Sequence, residues 1–232
     1  MTDSADKANK VLITGASSGI GLAVAHRMLA NGFDVQGLAR DFSNTDCQGW
    51  QQTICDLSHL DDLPSVLADI KIVPDVLVLN AGYGRFGGLE QFSHQQIRHL
   101  VDTNLVSTLF LLKHFLPLMK KNGGGDIVLL GSESALQGGK AGAVYCATKF
   151  ALRGLAQSLR KDNPSMRVIL VNPGPVDSDF FDDLDFAPQA GSEFSIAPES
   201  VAQAIDNALS LPSNAVTEEI NMQPLKRSFS KK

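Results

Sequence analysis

The sequence has few of the residues that mark a metalloprotein or a disulfide-rich secreted protein. Its 232 residues include three cysteines and five histidines, and neither set follows the spacing of a metal site. The cysteines, Cys47, Cys55 and Cys146, are odd in number and form no CxxC pair. We therefore expect no metal, three free thiols, and a location in the reducing cytoplasm.

Long hydrophobic runs and excess positive charge are also lacking. The most apolar stretch, residues 105–119, is interrupted by Lys113, His114 and Pro117, and is shorter than the roughly 18 apolar residues of a membrane span. Residues 1–10 are polar and predict no secretion signal. The 20 lysines and arginines are outnumbered by 25 acidic residues, for a net charge of −5. This balance disfavours a nucleic-acid or membrane partner.

Short apolar runs, typical of strands buried on both faces, alternate with segments of helical periodicity. The predicted strands are 10–14, 35–39, 53–55, 76–79, 127–130, 168–171 and 216–220. The predicted helices are 19–30, 59–69, 93–101, 104–121, 144–161 and 198–209. This alternation predicts an α/β, Rossmann-type doubly wound fold, with a mostly parallel sheet of about seven strands and helices on both faces.

No internal repeat, low-complexity segment or linker divides the chain, so we expect one domain over residues 1–232. Residues 1–9 and the basic C-terminal stretch 223–232 are predicted to be flexible ends. Residues 177–197 have no clear period, and they carry four phenylalanines and several acidic residues. A segment of this length in a compact domain is typical of a mobile substrate lid, with plain disorder as the alternative.

A glycine-rich turn joins the first predicted strand to the first predicted helix. It has the sequence Thr14-Gly-Ala-Ser-Ser-Gly-Ile-Gly21. Glycines let the backbone approach a ligand closely, and a helix N-terminus offers unpaired N–H groups to a pyrophosphate. The turn therefore predicts a dinucleotide site. Its spacing resembles the TGxxxGxG motif of the short-chain dehydrogenase/reductase family, and the resemblance extends from about residue 10 to residue 222.

The resemblance implies further cofactor contacts after several strands. Asp56-Leu57 resembles the pair that contacts the adenine, Asn80-Ala81-Gly82 the NAG motif, and Pro173-Gly174 the PG motif beside the nicotinamide. Ser178 stands where relatives usually place a threonine. The implied cofactor-binding residues are Gly15, Ser17, Ser18, Gly19, Ile20, Gly21, Arg40, Asp56, Leu57, Asn80, Ala81, Gly82, Tyr145, Lys149, Pro173, Gly174, Val176 and Ser178.

The end of the second strand bears on the choice of nucleotide. In this fold an acidic residue there binds the ribose 2′-hydroxyl, whereas an arginine accommodates a 2′-phosphate. The sequence has Ala39 followed by Arg40, which favours NADP(H) over NAD(H). Ser18 departs from the family pattern, because some NADP-preferring relatives carry a second basic residue at its position.

Tyr145 and Lys149 are four residues apart, which places them on one face of a helix. A neighbouring ammonium is expected to lower the tyrosine pKa toward the range useful for acid–base catalysis. The resemblance adds Ser132, thirteen residues before Tyr145, and Asn104, twenty-eight residues before Ser132, as catalytic partners. Without the resemblance, Asn104 would be interpreted as a helix cap.

Together these features predict an NADP(H)-dependent oxidoreductase that transfers a hydride to or from a carbonyl or secondary alcohol. The alternatives are an NAD(H)-preferring dehydrogenase of the same family and a non-catalytic dinucleotide sensor. Substrate contacts are expected from Tyr83–Leu89, from Leu136–Gly142 and from the lid. Arg85 and Lys140 would suit an anionic substrate if they are not simply solvated. The resemblance also implies homodimers or homotetramers that associate through helices 104–121 and 144–161.

Overall fold

The structure of the protein is a computed structural model, and it describes residues 9–232. The predicted flexible N-terminus therefore lies outside the described residues, except for Asn9, whose carbonyl accepts a 2.9 Å hydrogen bond from the Asp34 N–H. Within residues 9–232 the strands are β1 (Lys10–Thr14), β2 (Asp34–Ala39), β3 (Gln51–Ile54), β4 (Val76–Leu79), β5 (Gly125–Leu130), β6 (Met166–Pro173), β7 (Phe186–Pro188), β8 (Glu219–Met222) and β9 (Phe229–Lys231). The α-helices are α1 (Gly19–Ala30), α2 (Leu63–Asp69), α3 (His94–Val101), α4 (Ser107–Lys121), α5 (Ala143–Asp162) and α6 (Pro198–Leu209).

Seven strands form one sheet in the order β3-β2-β1-β4-β5-β6-β8. Every neighbouring pair in it is parallel. The strand order reverses between β1 and β4, which opens a crevice at the carboxyl ends of these two strands. The predicted doubly wound, parallel fold is confirmed.

Two apolar layers cover the two faces of the sheet, because successive side chains of a buried strand point to opposite sides. In β1, Val11 and Ile13 pack on one face with α1 and α6, whereas Leu12 packs on the other face with α2, α4 and α5. All three side chains are fully buried. The rigid sheet between these layers fixes the positions of the loops at its carboxyl edge.

Three predicted elements differ from the structure. The second helix begins at Leu63 rather than at residue 59, and Pro64, which has no backbone N–H to donate, lies in its first turn. The predicted helix 104–121 is not a separate element, because a π-helical segment, Asp102–Val106, joins α3 to α4. The last strand of the main sheet is residues 219–222 instead of 216–220.

The C-terminal stretch that was predicted to be flexible contains a short strand. Residues 229–231 form β9, which pairs antiparallel with β7 in the segment predicted to be the lid. Arg227 also forms an ion pair with Glu133, with 2.5 Å between Nη2 and Oε2. Arg227 therefore has a partner that charge alone did not reveal. Within the described residues, no helix is long and apolar enough to cross a membrane.

Candidate active site

The glycine-rich turn follows β1 and leads into α1. Gly15 and Gly19 have φ values of 65° and 52°, a conformation that favours glycine. A Cβ at Gly21 would lie 2.1 Å from the carbonyl oxygen of Gly15. The turn can keep this shape only with glycine at these positions.

The backbone N–H groups of residues 17–21 point to an anion site. Within residues 9–232, none of them donates a hydrogen bond to another group of the protein. Ser18, the residue before α1, does not cap the helix, and no acidic side chain lies in its first turn. Unpaired N–H groups and the positive end of the helix dipole suit a phosphate. The turn therefore fits the pyrophosphate of a dinucleotide.

The loop after β4 is fastened to this turn. The Asn80 side chain donates to the carbonyls of Thr14 and Gly15, at 3.0 and 3.1 Å. The Thr14 hydroxyl in turn accepts the N–H groups of Asn80 and Ala81. Asn80 therefore links the loop after β4 to the glycine-rich turn, and the loop that it fixes continues to Gly82.

The loop after β6 also reaches the glycine-rich turn. A Cβ at Gly19 would lie 3.2 Å from the Cβ of Ser178. The N–H of Gly174 donates to Met222 at 2.8 Å, which fixes the start of this loop to β8. Val176 is buried, at 7% exposure. The structure thus brings the segment Pro173–Ser178 next to the turn that was predicted to share its ligand.

Arg40 and Asp56 lie at the carboxyl ends of β2 and β3. The Arg40 side chain is exposed, and Ala39 before it provides no carboxylate. Burial acts to raise the pKa of Asp56, but hydrogen bonds from Ser58 and the charges of His59 and Arg40 outweigh burial and lower it. Leu57, by contrast, is 6% exposed, and its side chain packs in the core.

Ser132, Tyr145 and Lys149 meet beyond the end of β5. Tyr145 and Lys149 lie one turn apart on α5 and are 6% and 5% exposed. The Lys149 ammonium donates to the Leu130 carbonyl at 2.8 Å and lies 5.7 Å from the centre of the Tyr145 ring. The Ser132 hydroxyl accepts the Ser134 N–H at 3.1 Å, and it lies close enough to the Tyr145 hydroxyl to act on the pKa of Tyr145. These three side chains form one polar cluster in an otherwise apolar wall.

Burial is the largest influence on the pKa values of Tyr145 and Lys149. It raises the pKa of Tyr145 well above the usual value, and the Ser132 hydroxyl opposes this only in part. Burial also lowers the pKa of Lys149, to about 8. The pKa of Tyr145 was expected to be lowered toward the range useful for acid–base catalysis, but in the protein alone burial raises it.

Asn104 lies inside the π-helical segment and caps no helix. Its side chain donates to the Tyr83 carbonyl at 2.9 Å and accepts the Tyr83 N–H at 3.0 Å. A Cβ at Gly82 would lie 3.1 Å from its Oδ1 and 3.7 Å from Nζ of Lys149. Asn104 is therefore close to the lysine, and single π-helical turns are frequent at functional sites.

Aromatic rings cover the tyrosine. The centres of the Phe86 and Phe180 rings lie 5.3 and 5.9 Å from that of Tyr145. Arg85 is exposed, with its guanidinium 5.8 Å from the Phe92 ring centre, and Lys140 is also exposed. The two candidate anion-binding residues therefore behave as solvated loop charges. No group of three or more metal-ligating side chains occurs in the described part of the chain.

Sequence reasoning missed the contribution of the C-terminal residues. Arg227 pairs with Glu133, next to Ser132, and Phe229 packs on Phe186 with ring centres 5.7 Å apart. A signal was present, because residues 227–231 alternate charged or aromatic residues with serine, as an edge strand does.

Comparisons with known proteins agree with the parallel, doubly wound sheet and identify the class of protein. A family model described as short chain dehydrogenase matches residues 9–187. The chain therefore belongs to the short-chain dehydrogenase/reductase family and is an NAD(P)-dependent dehydrogenase or reductase.

Three individual relatives share 27% to 35% of the aligned residues with this chain. An uncharacterized oxidoreductase of Staphylococcus epidermidis is 28% identical over 230 residues, which cover 94% of this chain and 98% of that protein. The 17-beta-hydroxysteroid dehydrogenase type 1 of Homo sapiens is 35% identical over 198 residues, 77% of this chain and 60% of that protein. An alcohol dehydrogenase from the archaeon Thermococcus sibiricus, solved with 5-hydroxy-NADP, superposes with a TM-score of 0.85 at 27% identity, covering 96% of this chain and 99% of that one.

Proposed function

We propose that this protein transfers a hydride between NADP(H) and a carbonyl or secondary alcohol, with Tyr145 as the general acid and base. The observation that carries this function is the proximity of the half-buried Ser132 to the buried Tyr145 and Lys149 at the carboxyl edge of the sheet. Burial of the Lys149 ammonium destabilises the folded protein. A sensor that only binds a dinucleotide would gain no function from this buried charge.

The bound nicotinamide supplies or accepts the hydride. In reduction, the Tyr145 hydroxyl gives its proton to the substrate oxygen while the Ser132 hydroxyl donates a hydrogen bond to that oxygen. Because burial raises the tyrosine pKa, Tyr145 holds its proton until charge develops on the substrate. The Lys149 ammonium then stabilises the phenolate that remains. Asn104 holds the Tyr83 loop beside the lysine.

The preference for NADP(H) is supported by the end of β2. Ala39 presents no carboxylate to repel a 2′-phosphate, and the exposed guanidinium of Arg40 can grip one with two hydrogen bonds. The relative from Thermococcus sibiricus was solved with an NADP derivative. NAD(H) is the alternative, because Ser18 supplies no second positive charge.

An apolar substrate is supported by the rings around the site. Phe86 and Phe180 contact the Tyr145 ring, whereas Arg85 and Lys140 face solvent. The human relative is named for a hydroxysteroid, which is itself an apolar ring system. We therefore expect ring-bearing or alkyl carbonyls and alcohols to react better than small anionic ones.

The catalytic assignment is tested with Tyr145→Phe. Turnover of a panel of carbonyls and alcohols, followed by absorbance of the reduced cofactor, should fall by about a thousandfold or more because the proton donor is gone. The affinity for NADPH, measured by its fluorescence, should stay within about twofold, because the ring that packs in the site is retained. Turnover by Tyr145→Phe at the wild-type rate would remove the tyrosine from the mechanism.

The cofactor preference is tested with Arg40→Ala. The KM for NADPH should rise about tenfold, and the KM for NADH should change little, because only the 2′-phosphate loses its partner. Arg98→Ala, which removes an arginine from the last turn of α3, is the matched control and should change neither value. Equal losses with both cofactors would show that Arg40 does not read the phosphate.

We also propose a homodimer or homotetramer. The exposed apolar side chains Leu109 and Leu118 lie on α4, and Phe150 lies on α5, at 40%, 37% and 43% exposure. Apolar side chains that stay exposed on two long helices suit a protein–protein interface.

The three cysteines are free thiols, which suits the reducing cytoplasm where we place the protein.

A further inference from the structure

The lid, residues 177–197, begins and ends at one point of the structure. Val176 bridges Ile196, the Asp177 N–H donates to the Ile196 carbonyl at 2.9 Å, and the Ile196 N–H donates to Pro175 at 2.8 Å. Val176 and Ile196 are both buried. The two ends of the lid are therefore held together and fixed to the body of the protein.

The inner side of the lid rests on the candidate active site. Besides its contact with Tyr145, the Phe180 ring lies so close to Gly84 that a Cβ there would be 2.4 Å from it. Phe186 packs on Phe86 with ring centres 5.2 Å apart. Tyr145 is only 6% exposed, and Phe180 of the lid is one of the side chains that cover its ring.

The outer edge of the lid is paired with the tail, residues 223–232, along most of its length. Strand β9 pairs with β7, and Phe229 packs on Phe186 at 5.7 Å and on Phe181 at 6.3 Å. Further bonds join the two segments: Gln189 N–H to Ser228, Lys226 N–H to Glu193, Lys232 N–H to Asp185, and the Lys232 ammonium to the carbonyls of Phe181 and Asp182. Bonds formed side by side in this way break together, so the lid and the tail behave as one unit.

The tail is held to the body of the protein much more weakly. Within residues 9–232, its side-chain hydrogen bonds and ion pairs to groups outside the lid all go to Glu133: Arg227 Nη2 at 2.5 Å and Gln223 Nε2 at 3.2 Å. The Arg227 side chain is 49% exposed and that of Glu133 is 19% exposed. An ion pair this open to water is weak and is screened by salt.

We propose that the lid and the tail open together as one unit, and that the Arg227–Glu133 ion pair is the latch that holds this unit over Tyr145. Opening then breaks the ring contacts of Phe180 and Phe186 with the body and the two polar contacts at Glu133, but it keeps the β7–β9 pairing. Glu133 directly follows Ser132, so the latch closes on the loop that carries the candidate oxyanion donor. Arg227 is a positioning residue, since it acts through the lid and touches no reacting atom.

The test compares two neighbouring charge reversals, Arg227→Glu and Lys226→Glu. Arg227 joins the tail to the body, whereas Lys226 pairs with Glu193 of the lid at 3.5 Å, inside the moving unit. Limited digestion with chymotrypsin reports opening, because Phe180 and Phe181 become accessible and neither variant changes an aromatic cleavage site. Cleavage of the lid follows the population of the open form when opening is fast relative to cleavage.

We expect the lid of Arg227→Glu to be cleaved about fivefold faster than that of the wild type, because Glu133 then faces a like charge. Lys226→Glu should be cleaved at the wild-type rate. Faster cleavage of Lys226→Glu than of Arg227→Glu would mean that the lid peels away from the tail, and would overturn the inference. Unchanged cleavage of both variants would overturn it as well.

The wild-type chain gives a second test that needs no variant. Raising NaCl from about 0.05 to 1 M should speed cleavage of its lid by screening the ion pair, and the increase should vanish in Arg227→Glu. The protease itself is controlled with a peptide substrate in the same buffers. A lid whose cleavage is equally insensitive to salt in both proteins contradicts the latch.

Only the kinetic consequence depends on the proposed function. If the latch holds substrate in place, Arg227→Glu should raise the KM for the carbonyl about threefold without lowering kcat, and should leave NADPH affinity unchanged. If no carbonyl or alcohol is turned over by the wild type, the proposed function fails. The proteolysis results then still decide whether the latch exists.

Discussion

Replacing Lys149 with methionine should change how the stability of the protein depends on pH. The ammonium is 5% exposed, and burial lowers its pKa from the ordinary value of 10.5 to about 8. Between these two values the unfolded chain binds a proton that the folded protein does not bind, so stability rises with pH across this window. Below about pH 8 both states carry the proton, and the cost of the buried charge is present in full.

The size of the effect follows from the two pKa values. The difference between 10.5 and about 8 corresponds to about 3 kcal/mol of unfolding free energy. Methionine has a similar length and no charge, so Lys149→Met should be free of this cost. It also leaves the Leu130 carbonyl without its donor, but that loss is the same at every pH and does not alter the slope.

The assay is urea unfolding of both proteins at intervals from about pH 7 to 11. The free energy of Lys149→Met relative to the wild type should be most favourable at pH 7 and should decline by about 3 kcal/mol as the pH passes 10.5. Titration of Tyr145 and Cys55 contributes to both proteins and largely cancels in this difference. Lys113→Met, at an exposed position of α4, is the control and should give a flat difference. A flat difference for Lys149→Met as well would refute the buried-charge reasoning.

Two further changes test the glycine-rich turn and the oligomer. Gly21→Ala should weaken NADPH binding about tenfold or more, because its Cβ would lie 2.1 Å from the Gly15 carbonyl oxygen. Gly154→Ala is the control and should leave the NADPH affinity unchanged, because its Cβ would meet nothing within 4 Å. Phe150→Glu should lower the mass measured by light scattering, because it places a charge in the proposed α4–α5 interface, whereas Leu225→Glu, on the tail at 94% exposure, should not. Wild-type protein that is already monomeric at micromolar concentrations would remove the oligomer.

The sequence was sufficient for those parts of the molecule that depend on local pattern. Apolar runs such as residues 127–130 are buried on both faces, and their length and composition identify them as strands. The glycine-rich turn and the four-residue separation of Tyr145 and Lys149 are likewise visible in the chain itself. These features are sufficient to predict a dinucleotide crevice and a Tyr145–Lys149 pair at the carboxyl edge of the sheet.

The pKa of Tyr145 and the structure of the tail depend on contacts between residues that are far apart in the sequence. The tyrosine pKa is set by burial under Phe86 and Phe180, which come from two different loops. Strand β9 pairs with residues 186–188, and the short alternation over residues 227–231 does not identify that partner. Partners that lie more than forty residues away cannot be inferred from charge or composition.

The joined ends at Val176 and Ile196 have a consequence for how this chain can diversify. A loop whose ends are already in contact can be exchanged for a longer or shorter one with a small entropic penalty, because the cost of closing it grows only slowly with length. Its outer edge, however, is hydrogen-bonded to the last residues of the chain. A new loop at this position therefore needs a compatible segment at residues 223–232. The two segments must change together, although they are separate in the sequence.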